Sequence, residues 1–421
     1  MPNGVLSDII GAGVDLIPWI EEGVMQWTMR NYAMASRVTL FSDQTGFNIR
    51  QVSQWEKYRR AQVLTEGQDI PSEKLVRSRK ATVTPREVGK LYALTKQRIQ
   101  TDSVSNVVAD AISAIGAGIG DKIEADLIGA AGRAVRSYGT SSADFTQNQS
   151  VAVASSFATD ARRGQLFQVI HPLQLSQVMD KIVTITGSTA GVNTQQRQNA
   201  INSFTMPVLP NLEYVVSDFL PRKIVNKLSV FGTSGTFRLA LFDGQVIGEN
   251  VTAAISSNAT HGTVATNIKS ALEALTFAGN GTWTVSSASL TDITITPPAT
   301  LYLDSDSELR IAVDMTPANH TQWGEKSAYD LVASPSGGPL DIHGVMKGVE
   351  IYEKSASCKS YMFTRQALVY DVRQPIEGYF ELVNSGRTAE FSATTVYAAD
   401  LWDVSQIWAI ESKAPRPDAV G

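Results

Sequence analysis

The chain has 421 residues, a formal net charge of -5 and 43% hydrophobic residues, a globular composition with material for two or three cores. Its mild acidity argues against a dedicated nucleic-acid binder, which carries a strong basic excess, though local basic patches remain compatible with it. The single cysteine, Cys358, excludes an intrachain disulfide and argues against a thiolate metal site; it reads as a small buried hydrophobe.

The first apolar stretch, VLSDIIGAGVDLIPWIEEGVMQW, bunches Ile9, Ile10, Val14, Ile17, Trp19, Ile20 and Val24. It is broken by Asp8, Asp15, Pro18, Glu21 and Glu22. A membrane span needs about 20 mostly apolar residues, so neither a secretory signal nor a membrane helix is expected. Residues 1–36 read as an arm docking on its own or a neighbouring subunit; a membrane-surface helix would carry Lys and Arg on its polar face. Residues 38–55 read as extended chain with a turn near Gly46.

The stretch VLTEGQDIPSEKLVRSRKATVTPREVGKLYALT, Val63 to Thr95, has strand-like ends and a charged, turn-rich middle. Gly67 and Asp69-Ile70-Pro71 supply the turn signals. It holds too few large apolar residues to bury a face of its own. KATVTPREVGKLYALTKQRI (80–99) reads as one long, partly exposed strand.

Thr101, Asp102 and Ser103 offer helix caps. Val104, Val107, Val108, Ile112, Ile115, Ile119, Ile123 and Leu127 then recur at helical spacing. They predict one amphipathic helix of about 28 residues, about 42 Å long. Gly116, Gly118 and Gly120 weaken it but let something pack closely. Residues 130–165 read as loop with short elements. Residues 165–182 give a buried strand ending at His171-Pro172, then a helix. Residues 186–203 read as a surface loop, and Leu212 to Val216 as another buried strand.

Composition shifts near Asn226 towards Thr, Ser, Ala, Asn and Gly, and shifts back near Thr321. GTFRLALFDGQVIGE predicts a hairpin around Asp243-Gly244. A short helix over 263–275, two strands over 281–298 and one over 307–313 complete a β-β-α-β-β-β unit. At about 95 residues it is large enough to fold alone and reads as an inserted domain. Beyond it, GVEIYEKSAS, KSYMFTRQALVYDVRQPIEGYFEL and residues 388–415 are long strands.

No catalytic constellation emerges, so neither an enzyme nor a cofactor is expected. GAGIGD (116–121) lies inside a helical pattern rather than after a strand, unlike a dinucleotide loop. His171, His261, His320 and His343 have no second ligand at metal-binding spacing. DSDSE (304–308) lacks the spaced calcium-loop pattern and reads as a solvated loop.

The charge pattern says more. Lys74, Arg77, Arg79, Lys80, Arg86, Lys90, Lys96 and Arg98 stand against only Glu73 and Glu87. The C-terminal third leans acidic, with Glu377, Glu381, Glu390, Asp400 and Asp403. A basic protrusion and an acidic body suit contacts between neighbours. Contact with phosphates of enclosed nucleic acid and a merely solvated face are the other readings. Geometry favours the neighbour. A compact body of this length has a radius of gyration of about 22 Å. A hairpin with arms of about 16 residues reaches about 53 Å. An isolated two-stranded ribbon is marginal in water and needs a partner surface.

The order of these elements resembles the major capsid protein of tailed bacteriophages, the α+β Hong Kong 97-type capsid fold. The motifs are the arm, the VLTEGQDIP ribbon, the KATVTPREVGKLYALT strand, the DSVSNVVADAISAIGAGIGDKIEADLIGA helix, FQVIHP with its helix, and TTVYAADLWDVSQIWAIESKAP. The resemblance implies an N-terminal arm over 1–53, an E-loop over 54–90 and a P-domain with its spine helix over 91–150. It further implies a first A-domain part over 151–226, an insertion domain over 227–321, and the second A-domain part with closing P-domain strands over 322–421. It implies no enzyme. The expected function is a coat protein assembling as hexamers and pentamers into an icosahedral shell around double-stranded DNA, which it contacts non-specifically. The expected location is the virion, and the host cytoplasm during assembly. Expected partners are further copies of the chain, a portal protein and a decoration protein. Because only residues 1–36 precede the ribbon region, a separate scaffolding protein is expected, without cleavage of this chain. No Lys–Asn crosslink, such as Lys74 or Lys80 with Asn384, is expected. Glu66, Arg77, Arg79, Lys80 and Arg86, with Glu377 and Glu381, are the expected intersubunit contacts. The alternatives are an encapsulin-type compartment with the same fold, or a carbohydrate-binding or hydrolase protein using the Thr-rich insertion.

Overall fold

The computed structural model describes residues 21–26, 28, 33–42, 46–55, 77–95, 104–157, 165–184, 212–230, 236–242, 251–257, 259–276, 280–298, 310–313, 349–383 and 387–415. The expected loops at 186–203 and 304–308, and His320 and His343, lie outside them. The chain is α+β and divides into two units: Met1–Ala130 with Arg365–Val404, and Ala131–Thr364 with Ser405–Gly421.

The first unit is built on a four-stranded sheet in the order β1 (Thr39–Phe41), β16 (Leu368–Val383), β17 (Thr388–Leu401), β4 (Arg86–Thr95). β1 runs parallel to β16; the other two pairings are antiparallel. Strand periodicity sends Ala389, Phe391, Ala393, Thr395 and Tyr397 of β17 into the core and leaves Glu390, Ser392 and Thr394 half-exposed. The predicted helix is α1 (Val104–Gly132), with Ile112, Ile115, Ile119, Ile123 and Leu127 buried. Tyr397 donates its hydroxyl to Asp126 Oδ2 of α1 at 2.7 Å. Of the helix glycines, Gly118 marks a close approach, as expected, whereas Gly129 has open space beside it. A Cβ on Gly118 would lie 2.5 Å from Lys90 Nζ.

The predicted strand over 80–99 is two strands in two sheets. Among the described residues β3 (Arg77–Val83) pairs with β2 (Arg50–Trp55) alone, whereas β4 pairs with β17. The break is at Thr84-Pro85, where proline brings no N–H to a ladder. Arg86 therefore opens the body sheet and does not belong to the ribbon.

The second unit centres on β15 (Val349–Thr364). It pairs with β8 (Arg222–Val230), β18 (Ile407–Lys413) and β6 (Leu166–Ile170) in one eight-stranded sheet. β7 (Leu212–Val216) runs parallel to β6. Next comes α3 (Pro172–Thr184), preceded in the chain by α2 (Gln147–Ser156). His171 caps α3: its Nδ1 accepts from Leu173 N at 3.1 Å, and Gln174 Oε1 accepts from His171 N at 3.1 Å. Proline at the first helical position completes the start. Cys358 is buried, as its reading as a small hydrophobe required.

The Thr-rich stretch forms β9 (Thr236–Phe237) paired with β11 (Ile255–Ser256), α4 (His261–Glu273), the hairpin β12 (Thr284–Ser289) and β13 (Asp292–Thr296), and β14 (Arg310–Val313). Of the expected hairpin around Asp243-Gly244 only the first arm is among the described residues. β10 (Leu239–Phe242) takes β14 as its ladder partner and meets Val251 only by a single bridge at Ala240. The turn itself lies outside the described residues. β13 pairs with β8, and Leu228, Val230 and Val349 of the body strands share the core of Trp283, Ile268, Leu272 and Ile293.

Candidate intersubunit surface

The ribbon is anchored at its base. Val83 is fully buried against Val369 and Ala398, with Phe41 and Trp402 beside them. Arg50 opens β2, and its Nε lies 2.8 Å from Asp371 Oδ2. Its guanidinium also sits 4.6 Å from the centroid of the Phe41 ring. Arg373 Nη2 approaches the same Asp371 carboxylate at 2.7 Å. A carboxylate with no exposed surface thus binds two guanidinium groups and ties the ribbon to β16. Nothing in the local sequence signals this, because Arg50 and Asp371 are 321 residues apart.

Beyond the base, Ser53 stands opposite Lys80, Gln54 opposite Arg79 and Trp55 opposite Arg77. The backbone thus brings the three expected basic contacts to one arm; their side chains lie outside the described residues. Glu66 also lies outside them. Arg86 is exposed at the start of β4, opposite Tyr397.

Glu377 and Glu381 fall on the face of the four-stranded sheet opposite the buried one. The register there reads Glu381–Glu390–Ala93, Tyr379–Ser392–Leu91 and Glu377–Thr394–Gly89 from β16 through β17 to β4. Leu91 is 53% and Tyr379 48% exposed. Tyr379 donates its hydroxyl to Glu377 Oε2 at 2.7 Å. That bond, with one from Gln374, holds the Glu377 carboxyl below the usual carboxylate range. The same bond raises the Tyr379 phenol, and Glu87 adds a repulsive charge to it. Four carboxylates therefore surround two exposed apolar side chains. Among the described residues no Lys, Arg or His forms an ion pair with Glu87, Glu377, Glu381 or Glu390. The sequence reading missed that Leu91, Tyr379 and Glu87 join Glu377 and Glu381. Only the strand register brings them together.

Among the described residues no group of three or more His, Cys, Asp or Glu could hold a metal ion. Among the same residues no helix is long and apolar enough to cross a membrane.

No protein-family model matches the sequence, and no curated protein is significantly similar to it. Solved structures are similar over most of the chain. The capsid asymmetric unit of cyanophage Pam1 is 10% identical, covering 91% of this chain and 93% of its own, with a TM-score of 0.46. The capsid of Ralstonia phage GP4 is 7% identical, covering 90% and 88%, with a TM-score of 0.45. The virus-like particle from Pyrococcus furiosus is 7% identical, covering 94% and 99%, with a TM-score of 0.42. At TM-scores below 0.5 these likenesses carry no weight for function. What the chain resembles along nearly its whole length, at low identity, is a set of bacteriophage capsid proteins.

Proposed function

We propose that this chain is the structural subunit of an icosahedral bacteriophage shell and not an enzyme. It assembles as hexamers and pentamers around double-stranded DNA. The observation that carries the reading is the acidic face of the four-stranded sheet, whose carboxylates form no ion pair among the described residues, on a chain whose ribbon strand β3 carries Arg77, Arg79 and Lys80. Glu381 and Glu390 stand directly opposite each other, an arrangement that costs stability in a lone sheet. A cationic strand laid across them removes that cost and covers Leu91 and Tyr379. The β3 arm of a second copy, with Arg77, Arg79 and Lys80, has the complementary charge. In this reading 1–53 is the N-terminal arm, 54–90 the E-loop with its last residues, from Arg86, running on into β4 of the body sheet, and 227–321 an insertion; 91–150 holds the spine helix, and 151–226 with 322–421 supplies the A-domain and the closing P-domain strands. Scaffold, portal and decoration proteins are its transient or peripheral partners. The virion is its final location, reached from the host cytoplasm.

Charge reversal tests it. Particles of wild type, of Glu377→Lys with Glu381→Lys, of Arg77→Glu with Arg79→Glu, and of all four changes together are counted by electron microscopy. Assembly lost in each pair and recovered in the combination is expected. Unchanged assembly in both pairs contradicts the reading.

A further inference from the structure

One buried cluster belongs neither to the acidic face nor to the ribbon. It lies in the second unit, where Val153 of α2 and Val178 of α3 share a core with strands β6, β7, β15 and β18. β6 is buried at every position. Strand alternation puts Gln168 on the same face as Leu166 and Ile170, in the middle of this apolar core. The register sets Gln168 between Met362 of β15 and Tyr214 of β7, and Tyr214 packs against the same core. From the helical layer, Ser150 lies one turn before Val153 and Ala154, which pack there too.

Gln168 and Ser150 have no exposed surface. Among the described residues, neither atom of the Gln168 amide finds a hydrogen-bond partner, and neither does Ser150 Oγ or Tyr214 Oη. Ser150 lies close enough to Tyr214 to act on its phenol, but the two hydroxyls do not align as a hydrogen bond. Burial outweighs Ser150 and pushes the phenol up from its ordinary value, so Tyr214 is neutral at neutral pH. Three side chains from three elements thus put four enclosed polar atoms into one core. Buried polar groups are nearly always paired, and internal water serves where the protein does not.

We propose that Gln168, Tyr214 and Ser150 bind an internal water that docks α2 onto the parallel pair β6–β7. The chemistry of the set selects that ligand. Gln168 Nε2 donates, Gln168 Oε1 accepts, and the two hydroxyls do either. None of the three carries a charge, so an ion brought among them would be left uncompensated in an apolar core. Water is neutral, small, and both donor and acceptor, and an internal water typically makes about 3 such bonds. It ties a helix to two strands by side chains too far apart in the chain to be paired by any local pattern. None of this depends on the shell reading.

A high-resolution structure of the full chain tests it. Solvent density within about 2.7–3.2 Å of the Gln168 amide and of at least one of the two hydroxyls is expected. A site without such density, whether Gln168 bonds directly to a neighbour or to nothing, overturns the proposal without reference to any variant. A double-mutant cycle gives a second readout. Gln168→Met removes the amide and Tyr214→Phe removes only the hydroxyl. Each should lower the denaturant midpoint, and the two together should cost less than the sum, because both act on one water. Additive losses overturn the proposal, and so does a higher midpoint for Gln168→Met, which would mean that the wild-type amide is unpaired. Ser150→Ala should raise hydrogen exchange in α2 ahead of that in β18; an equal rise in both overturns the docking of α2.

Discussion

Glu381 and Glu390 lie directly opposite each other across β16 and β17, with Ala93 of β4 completing the row. Like charges at such a position repel, by a few tenths of a kcal/mol to about 1 kcal/mol. Glu381→Lys therefore has two effects of opposite sign. The isolated subunit gains up to about 1 kcal/mol, read as a higher denaturant midpoint with an unchanged slope. Assembly weakens, read as a higher critical concentration. A loss in both measurements would mean that the residue acts through folding alone.

The proposed intersubunit contact requires ionised carboxylates. Glu377 is held ionised below the ordinary carboxylate range by Tyr379, so its part in any contact is present at neutral pH. It is lost as pH falls through that depressed value. Tyr379→Phe removes the bond, and the Glu377 titration should move up towards the ordinary midpoint, followed by carboxyl-selective NMR. Assembly in the variant should then fail at a higher pH than in wild type. Exposed charge pairs are also screened, so association should weaken between 0.05 and 0.5 M salt, where the Debye length falls from about 14 to about 4 Å.

Asp371 sits between Arg50 and Arg373 with no exposed surface. Asp371→Ala leaves two guanidinium groups without their carboxylate and should cost about 3–5 kcal/mol of stability. Hydrogen exchange in β2 and β3 should rise before that in β17, because Arg50 is the tie between ribbon and sheet. Equal protection in wild type and variant would remove Asp371 from that role.

Gly139 has a φ of +89°, and a Cβ there would lie 2.4 Å from Glu411 O. Gly139→Ala should cost about 1–3 kcal/mol through backbone strain and a clash that β18 cannot relieve without moving. Thermal unfolding reads the loss directly.

Much of the fold was legible because its signals are local. The apolar spacing from Val104 to Leu127 gave α1 to within a residue or two, and Gly118 foretold a close approach. His171-Pro172 marked the change from β6 to α3. Proline at position 85 was in plain view, yet the continuous β pattern on both sides masked the switch between sheets. The pairing of β10 with β14, which begins 68 residues after Phe242, left no local signal. The candidate surface was half legible. Its charges could be counted, but Glu87, Leu91 and Tyr379 join Glu377 and Glu381 only through register between strands some 290 residues apart. The Arg50–Asp371 anchor and the hydrogen bonds from Met34 N and Ala35 N to Glu124 depend on tertiary contact and left no pattern in the sequence.

The most direct test of the central claim is electron cryomicroscopy of particles assembled from the purified chain. The account predicts closed shells in which the β2–β3 ribbon of one subunit lies across Glu377, Tyr379 and Glu381 of its neighbour. A chain that stays monomeric with and without a scaffolding protein would contradict it, as would shells in which that acidic face meets only solvent.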